Sequence, residues 1–269
     1  MLEMLQYEFV RNALMAAVLA GLACGIVGTY VVVKRIVFIS GGVAHATFGG
    51  IGLGFLLGVD PVLTAIPFGI LSALGIGFVS RKTKVSEDTA IGMFWASGMA
   101  LGVILIGLTP GYKPNLVAYL FGSILMVSHS DLVVMLILDA AILVAFALFY
   151  REFLAISFDE EFSEAIGVPT DLIYYIFLSL VALTTILLIR VVGVVLVLAL
   201  LTIPVAISRR FVGDLKKLSI LSAILASALT LLGLPVSYAL NLPSGATIVM
   251  VLVIAFLLSR LLPRKGLSQ

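Results

Sequence analysis

The sequence predicts an all-helical (all-α), polytopic membrane protein of eight or nine spans, and three observations carry that prediction. Hydrophobic residues fill 62% of the 269 positions and charged residues only 11%, where a soluble domain carries about 25% charge. Uncharged windows recur along the whole chain, and a bilayer-spanning helix needs about 20 apolar residues. Lysine and arginine concentrate in every second connection between those windows, the bias that orients membrane proteins.

The windows follow in order. Asn12–Val33 is the first, Ile36–Val59 the second, Pro61–Ser80 the third and Thr89–Tyr112 the fourth. A compound region follows: an uncharged segment from Asn115 to Ser130, then Leu132–Tyr150 interrupted by Asp139. Leu172–Ile189 and Val191–Ser208 come next, divided by Arg190. The last run, Leu218–Ser259, is too long for one span, and its turn-forming centre GLPVSYALNLPSG divides it in two. One alternating set of connections holds thirteen basic residues, among them Lys34, Arg81, Lys217 and Arg264, and the other holds three, Arg11, Lys113 and Arg190. The richer set is expected in the cytoplasm, with the N-terminus outside and the C-terminus inside. Nine crossings satisfy this if Leu116–Ser128 is a short helix that does not fully cross. Glu3 and Glu8 precede the first basic residue, so a cleaved secretory signal is not expected and the first span is retained. With no low-complexity tract or linker, residues 1–269 read as one transmembrane domain.

The chemistry the chain lacks narrows its function. There is no G-x-x-x-x-G-K-[ST] loop to cradle phosphates and no HExxH, and Cys24 is the only cysteine. Nothing supports an enzyme active site, and no nucleic-acid partner is expected. The longest cytoplasmic connection, residues 150–171, is acidic through Asp159, Glu160, Glu161 and Glu164. Phe158, Phe162, Ala165 and Ile166 recur there at helical spacing, and Gly167 and Pro169 stop the helix. Anionic lipid would repel four carboxylates, so a protein partner is the better reading.

Two buried titratable residues are candidates for a transport path. The second window holds His45 among glycines, and Gly41, His45, Gly49 and Gly52 share one helix face, a bare strip with one imidazole. Gly50, Gly54 and Gly58 form a second small-residue row suited to close helix packing in lipid. Asp139 lies inside LILDAAILV, where a carboxylate at bilayer depth faces protein or a wet cavity. Counted from Arg35 and Arg151, His45 and Asp139 lie about 15 and 18 Å from the inner interface, so a shared site near the midplane is possible. His129 reads as a helix cap, and Glu87 and Asp88 as dipole partners at a helix start.

Six segments, in order, resemble the manganese/zinc/iron-chelate permeases of ABC importers. They are FISGGVAHATFGGIGLG (38–54), SEDTAIGMFWASGMALGV (86–103), YLFGSILMVSHSDL (119–132), SFDEEFSEAIGV (157–168), IRVVGVVLVLALLTIPVAISRR (189–210) and LPVSYALNLPSGATIV (234–249). The resemblance covers nearly the whole chain. It implies the all-helical fold of the cobalamin-type importers, a homodimeric or pseudo-dimeric pore in the inner membrane, cytoplasmic ATP-binding subunits and an extracytoplasmic metal-binding protein. It also implies that Phe158, Asp159, Glu160, Phe162 and Gly167 belong to the loop that docks on the ATPase, about 151–170, and that His45 faces the transported metal.

This chain departs from the family pattern at Gly41 and Ala44, where many members carry aspartate and serine, and at Asn241, where aspartate is common. A lone imidazole without a carboxylate partner suits zinc better than manganese. The expected function is therefore import of a divalent transition metal, zinc first and manganese second. An ion-coupled secondary transporter and a cobalamin or siderophore permease are the rivals.

Overall fold

The computed structural model describes residues 6–110, 122 and 124–261. Those residues form twelve α-helices and one 3-10 turn, with no strand among them. In chain order they are α1 Glu8–Val33, α2 Phe38–Ala46, α3 Phe48–Leu57, α4 Pro61–Lys82 and α5 Glu87–Leu108. After the 3-10 turn Ile124–Met126 come α6 His129–Leu148, α7 Tyr150–Phe158, α8 Glu160–Ala165, α9 Thr170–Val192, α10 Val194–Ser208, α11 Leu215–Leu240 and α12 Ser244–Leu261. Taking α2 and α3 as one span, eight are long and apolar enough to cross a membrane, and α10 is a shorter apolar helix of 15 residues. Most of Leu116–Ser128, expected as a partial helix, lies outside the described residues.

The interior is built on α1, which packs against α11, α10 and α6. It can do so because one side of it is nearly bare: Ala13, Ala16, Ala17, Ala20, Gly21, Gly25 and Gly28 are all buried. A methyl group at Gly25 would come within 2.8 Å of the Ser222 carbonyl carbon, so these backbones touch. In lipid, where there is no hydrophobic drive between helices, such dispersion contact holds a bundle together. The outer helices turn large side chains such as Leu71, Phe78, Ile104, Ile137, Leu232 and Leu257 outward, the surface that bilayer hydrocarbon covers.

Two expected boundaries move. Helix α9 runs through Arg190 to Val192, and the break falls at Gly193, whose φ of 80° favours glycine. A charged residue does not end a helix by itself; a left-handed backbone does. In the last run Pro235 sits within α11, which continues to Leu240 and ends at Asn241 with φ 52°. The split was expected, but it lies at 241–243, at the end of the turn-rich segment. Ser237 Oγ closes it by donating to the Leu242 carbonyl at 2.6 Å.

The glycine rows of the second span each meet a helix. Gly50 and Gly54 lie against α4 through the Thr64 carbonyl and Pro61, as close packing requires. Gly52 faces α5, where a methyl would lie 2.7 Å from the Gly102 carbonyl oxygen, and Gly49 lies between the Phe68 ring of α4, 2.6 Å from such a methyl, and the Gly98 carbonyl of α5. The strip expected to border a cavity is therefore largely filled. Gly58 packs on nothing and instead ends α3 at φ 68°.

The α5 side of this seam is equally tight. A methyl at Gly98 would lie 2.6 Å from the Ala46 carbonyl oxygen, whereas one at Gly92 would meet nothing within 4 Å. Gly98→Val is therefore expected to destabilise the folded chain by ~3 kcal/mol or more, since backbone cannot yield as a side chain does. Gly92→Val should be tolerated. Thermal unfolding in detergent distinguishes them, and equal stability of the two variants would contradict the seam.

Candidate functional site

The second span is interrupted at Thr47, and side chains along it compete for its own carbonyls. Thr47 Oγ1 donates to the Val43 carbonyl at 2.6 Å, and Ser40 Oγ to that of Val37 at 2.9 Å. Such back-bonding weakens the ladder and bends helices, and α2 gives way to α3 at Thr47.

His45 sits just before this interruption, half-buried. Its Nδ1 is 2.8 Å from the Gly41 carbonyl oxygen. A carbonyl can only accept, so Nδ1 carries the hydrogen, and the neutral ring keeps its Nε2 lone pair for a metal. The imidazole stacks on Trp95 of α5 with centroids 4.1 Å apart and planes 17° from parallel. Phe48 is the next ring, at 6.2 Å. A methyl at Gly41 would be in ordinary contact, 3.6 Å from Trp95 and from Leu198. Among the described residues no group of three or more His, Cys, Asp or Glu could hold an ion, so one chain offers one imidazole.

Asp139 is buried elsewhere. It is 3% exposed, and neither carboxylate oxygen has a hydrogen-bond partner. Its helix α6 packs on α1 and α9, and Cys24 of α1 is a buried electrostatic neighbour. Helix α2 packs instead on α5, α4, α9 and α10. Similar depth thus does not bring His45 and Asp139 onto principally contacting helices.

The polar connection folds as α7 and the short α8, and its side chains divide into two roles. Asp159 caps α8, accepting from Phe162 N at 2.9 Å. Glu160 accepts from Lys34 Nζ at 2.9 Å and pairs with Arg81. Arg81 also reaches Asp171 at 2.5 Å and lies over the Tyr174 ring, whose hydroxyl donates to Glu87. The network pins α8 to the ends of α1, α4, α5 and α9. Asp159 and Glu160 are thus engaged within the chain, while Glu161 and Glu164 are exposed. Glu87, expected only to complement a dipole, also holds Tyr174. Phe158 at the end of α7, Phe162 on α8 and Ile166 just after it are 74%, 62% and 60% exposed, an apolar row that no described residue covers. Gly167 follows at φ 89°, turning the chain into α9.

Sequence reasoning did not single out Trp95, although it lies in the quoted 86–103 segment and is the chain's only tryptophan. It also read Lys34 and Arg81 only as orientation markers. His129, expected as a cap, is the exposed first residue of α6, and the cap is Ser128, which forms a capping box with Asp131.

With this geometry described, the chain can be set beside known proteins. The model of the ABC 3 transport family matches residues 6–262. The chain is 45% identical over 259 residues to the uncharacterized membrane protein slr2045 of Synechocystis sp., covering 96% of this chain and 92% of that one. It is 34% identical over 265 residues to the manganese transport system membrane protein MntC of Listeria monocytogenes, covering 98% and 94%. Among solved structures, PsaBC from Streptococcus pneumoniae in complex with Fab matches with a TM-score of 0.84 at 32% identity, covering 95% of this chain and 92% of that chain.

Proposed function

Because the chain belongs to the ABC 3 transport family, we propose that it is the permease subunit of an importer that moves zinc into the cytoplasm by alternating access. Metal transport by an ABC permease is the coarse statement that family membership carries; the ion, the assembly and the orientation are our reading. The observation that supports it most is His45, a metal-competent tautomer held inside a membrane-spanning segment by the Gly41 carbonyl. ATP is hydrolysed by a partner subunit that docks on α8, an extracytoplasmic binding protein delivers the ion, and a second copy of the chain completes the pore. One imidazole is too few ligands for a divalent ion, and a second copy contributes another. The thirteen-to-three division of basic residues supports a cytoplasmic C-terminus and an extracytoplasmic N-terminus.

Manganese is the second reading, supported by the name of the Listeria relative. Glycine at position 41, leaving the imidazole without a carboxylate partner, favours zinc. The test is ATP-driven uptake of radioactive zinc into liposomes holding the permease, its ATPase and its binding protein. Zinc uptake that excess manganese does not suppress is expected. Uptake driven by a proton or sodium gradient without the ATPase would support a secondary transporter, and preferential manganese uptake would overturn zinc.

A further inference from the structure

We propose that Trp95 is a positioning residue for metal transfer, its indole holding the His45 imidazole in the plane that presents Nε2 to the ion. This rests on His45 being a pathway ligand, as proposed above. An imidazole on a flexible stem must be fixed in tautomer and in ring plane before it can ligate with useful geometry. The Gly41 carbonyl fixes the tautomer through Nδ1. That bond alone lets the ring rock about the Nδ1–oxygen line. A flat indole 4.1 Å away and 17° from parallel removes the rocking, and because it contacts the face of the ring, the in-plane Nε2 lone pair stays open.

The stack is set by backbone contact. Gly98, three residues after Trp95, lies against the Ala46 backbone, and Ala46 follows His45 directly. One turn further on, Gly102 meets the Phe48 carbonyl, where a methyl group would come within 2.5 Å. Two helices locked at these points cannot slide, so the rings are held at a fixed separation. The indole edge also comes within van der Waals contact of a methyl built at Gly41, which puts Trp95 beside both the imidazole and the turn whose carbonyl orients it. Restraints of this kind around a metal-ligating histidine are worth about 10- to 100-fold in metal affinity.

The experiment measures zinc bound at equilibrium to the purified complex of permease and ATPase, without binding protein. Trp95→Leu, which fills space but cannot stack, is expected to weaken zinc binding about tenfold. Trp95→Phe, which keeps a ring, should bind close to wild type. Emission of the complex minus that of the Trp95→Phe complex isolates this one indole, and zinc should change that signal saturably. The change should vanish in His45→Gln. Wild-type affinity in Trp95→Leu, equal loss in Leu and Phe variants, or a zinc response that survives His45→Gln would each overturn the proposal. A His45→Gln complex that binds and transports zinc normally would instead sink the pathway reading, and the positioning role with it.

Discussion

His45→Ala is expected to abolish ATP-driven zinc uptake, reducing it at least about 100-fold, while the complex still assembles. Changes in groups that merely orient a ligand already cost up to about 100-fold, and this change removes the ligand itself. Among the described residues there is no group of three or more His, Cys, Asp or Glu that could take its place. The fold should survive, because His45 is only half-buried and its ring is held, among the described residues, by a carbonyl within its own helix. The seam between α5 and the second span is made by glycines and backbone, which the substitution leaves alone. Uptake into liposomes, with size-exclusion of the same sample, separates loss of function from loss of folding. Near-normal zinc uptake by an intact His45→Ala complex would remove this residue from the pathway. Asp139→Asn is the instructive companion. Its carboxylate lies on a helix that packs on α1 and α9, away from the principal neighbours of α2 except α9, so its effect on uptake should be unrelated to zinc concentration.

What could be read from the chain and what could not divide along a physical line. A bilayer demands long uncharged helices, so every expected span among the described residues has a helix in it. Where helices end is decided by single backbone conformations. Gly193 and Asn241 are the stops because their φ is positive, while Arg190 and Pro235, which look like interruptions, lie inside helices. The imidazole could be singled out because a titratable group in an apolar window is conspicuous. Its partner ring could not, since Trp95 is on another helix and an aromatic residue there looks like any lipid-facing one. Glu160 shows the same limit. Its charge was plain, yet its cations are 126 and 79 residues away in sequence, and no local pattern distinguishes an engaged carboxylate from a free one. The exposed row Phe158, Phe162 and Ile166 was legible because its spacing is local.

That row gives the other large effect. Changing Phe158 and Phe162 together to alanine should release the ATPase from the purified complex. Both rings stand clear of the chain, 74% and 62% exposed, so removing them costs the permease little of its own packing. Asp159 would still cap α8, and Glu160 would still tie it to Lys34 and Arg81. The platform therefore stays while its contact surface is lost. Buried aromatic anchors at an interface commonly contribute ~2 kcal/mol or more each. Losing two, at ~1.4 kcal/mol per tenfold, weakens docking about 1,000-fold, enough to turn a complex that survives chromatography into one that does not. Glu160→Gln should act differently, loosening α8 from the bundle without removing the anchors and so lowering uptake more than it lowers docking. The measurement is the amount of ATPase retained on an affinity-tagged permease, with uptake followed alongside. In the proposed assembly the ATPase is cytoplasmic, so release by the double variant would also support the orientation inferred from the basic residues. Full retention with normal uptake would show that the exposed row serves some other contact and that coupling runs through a different part of the chain.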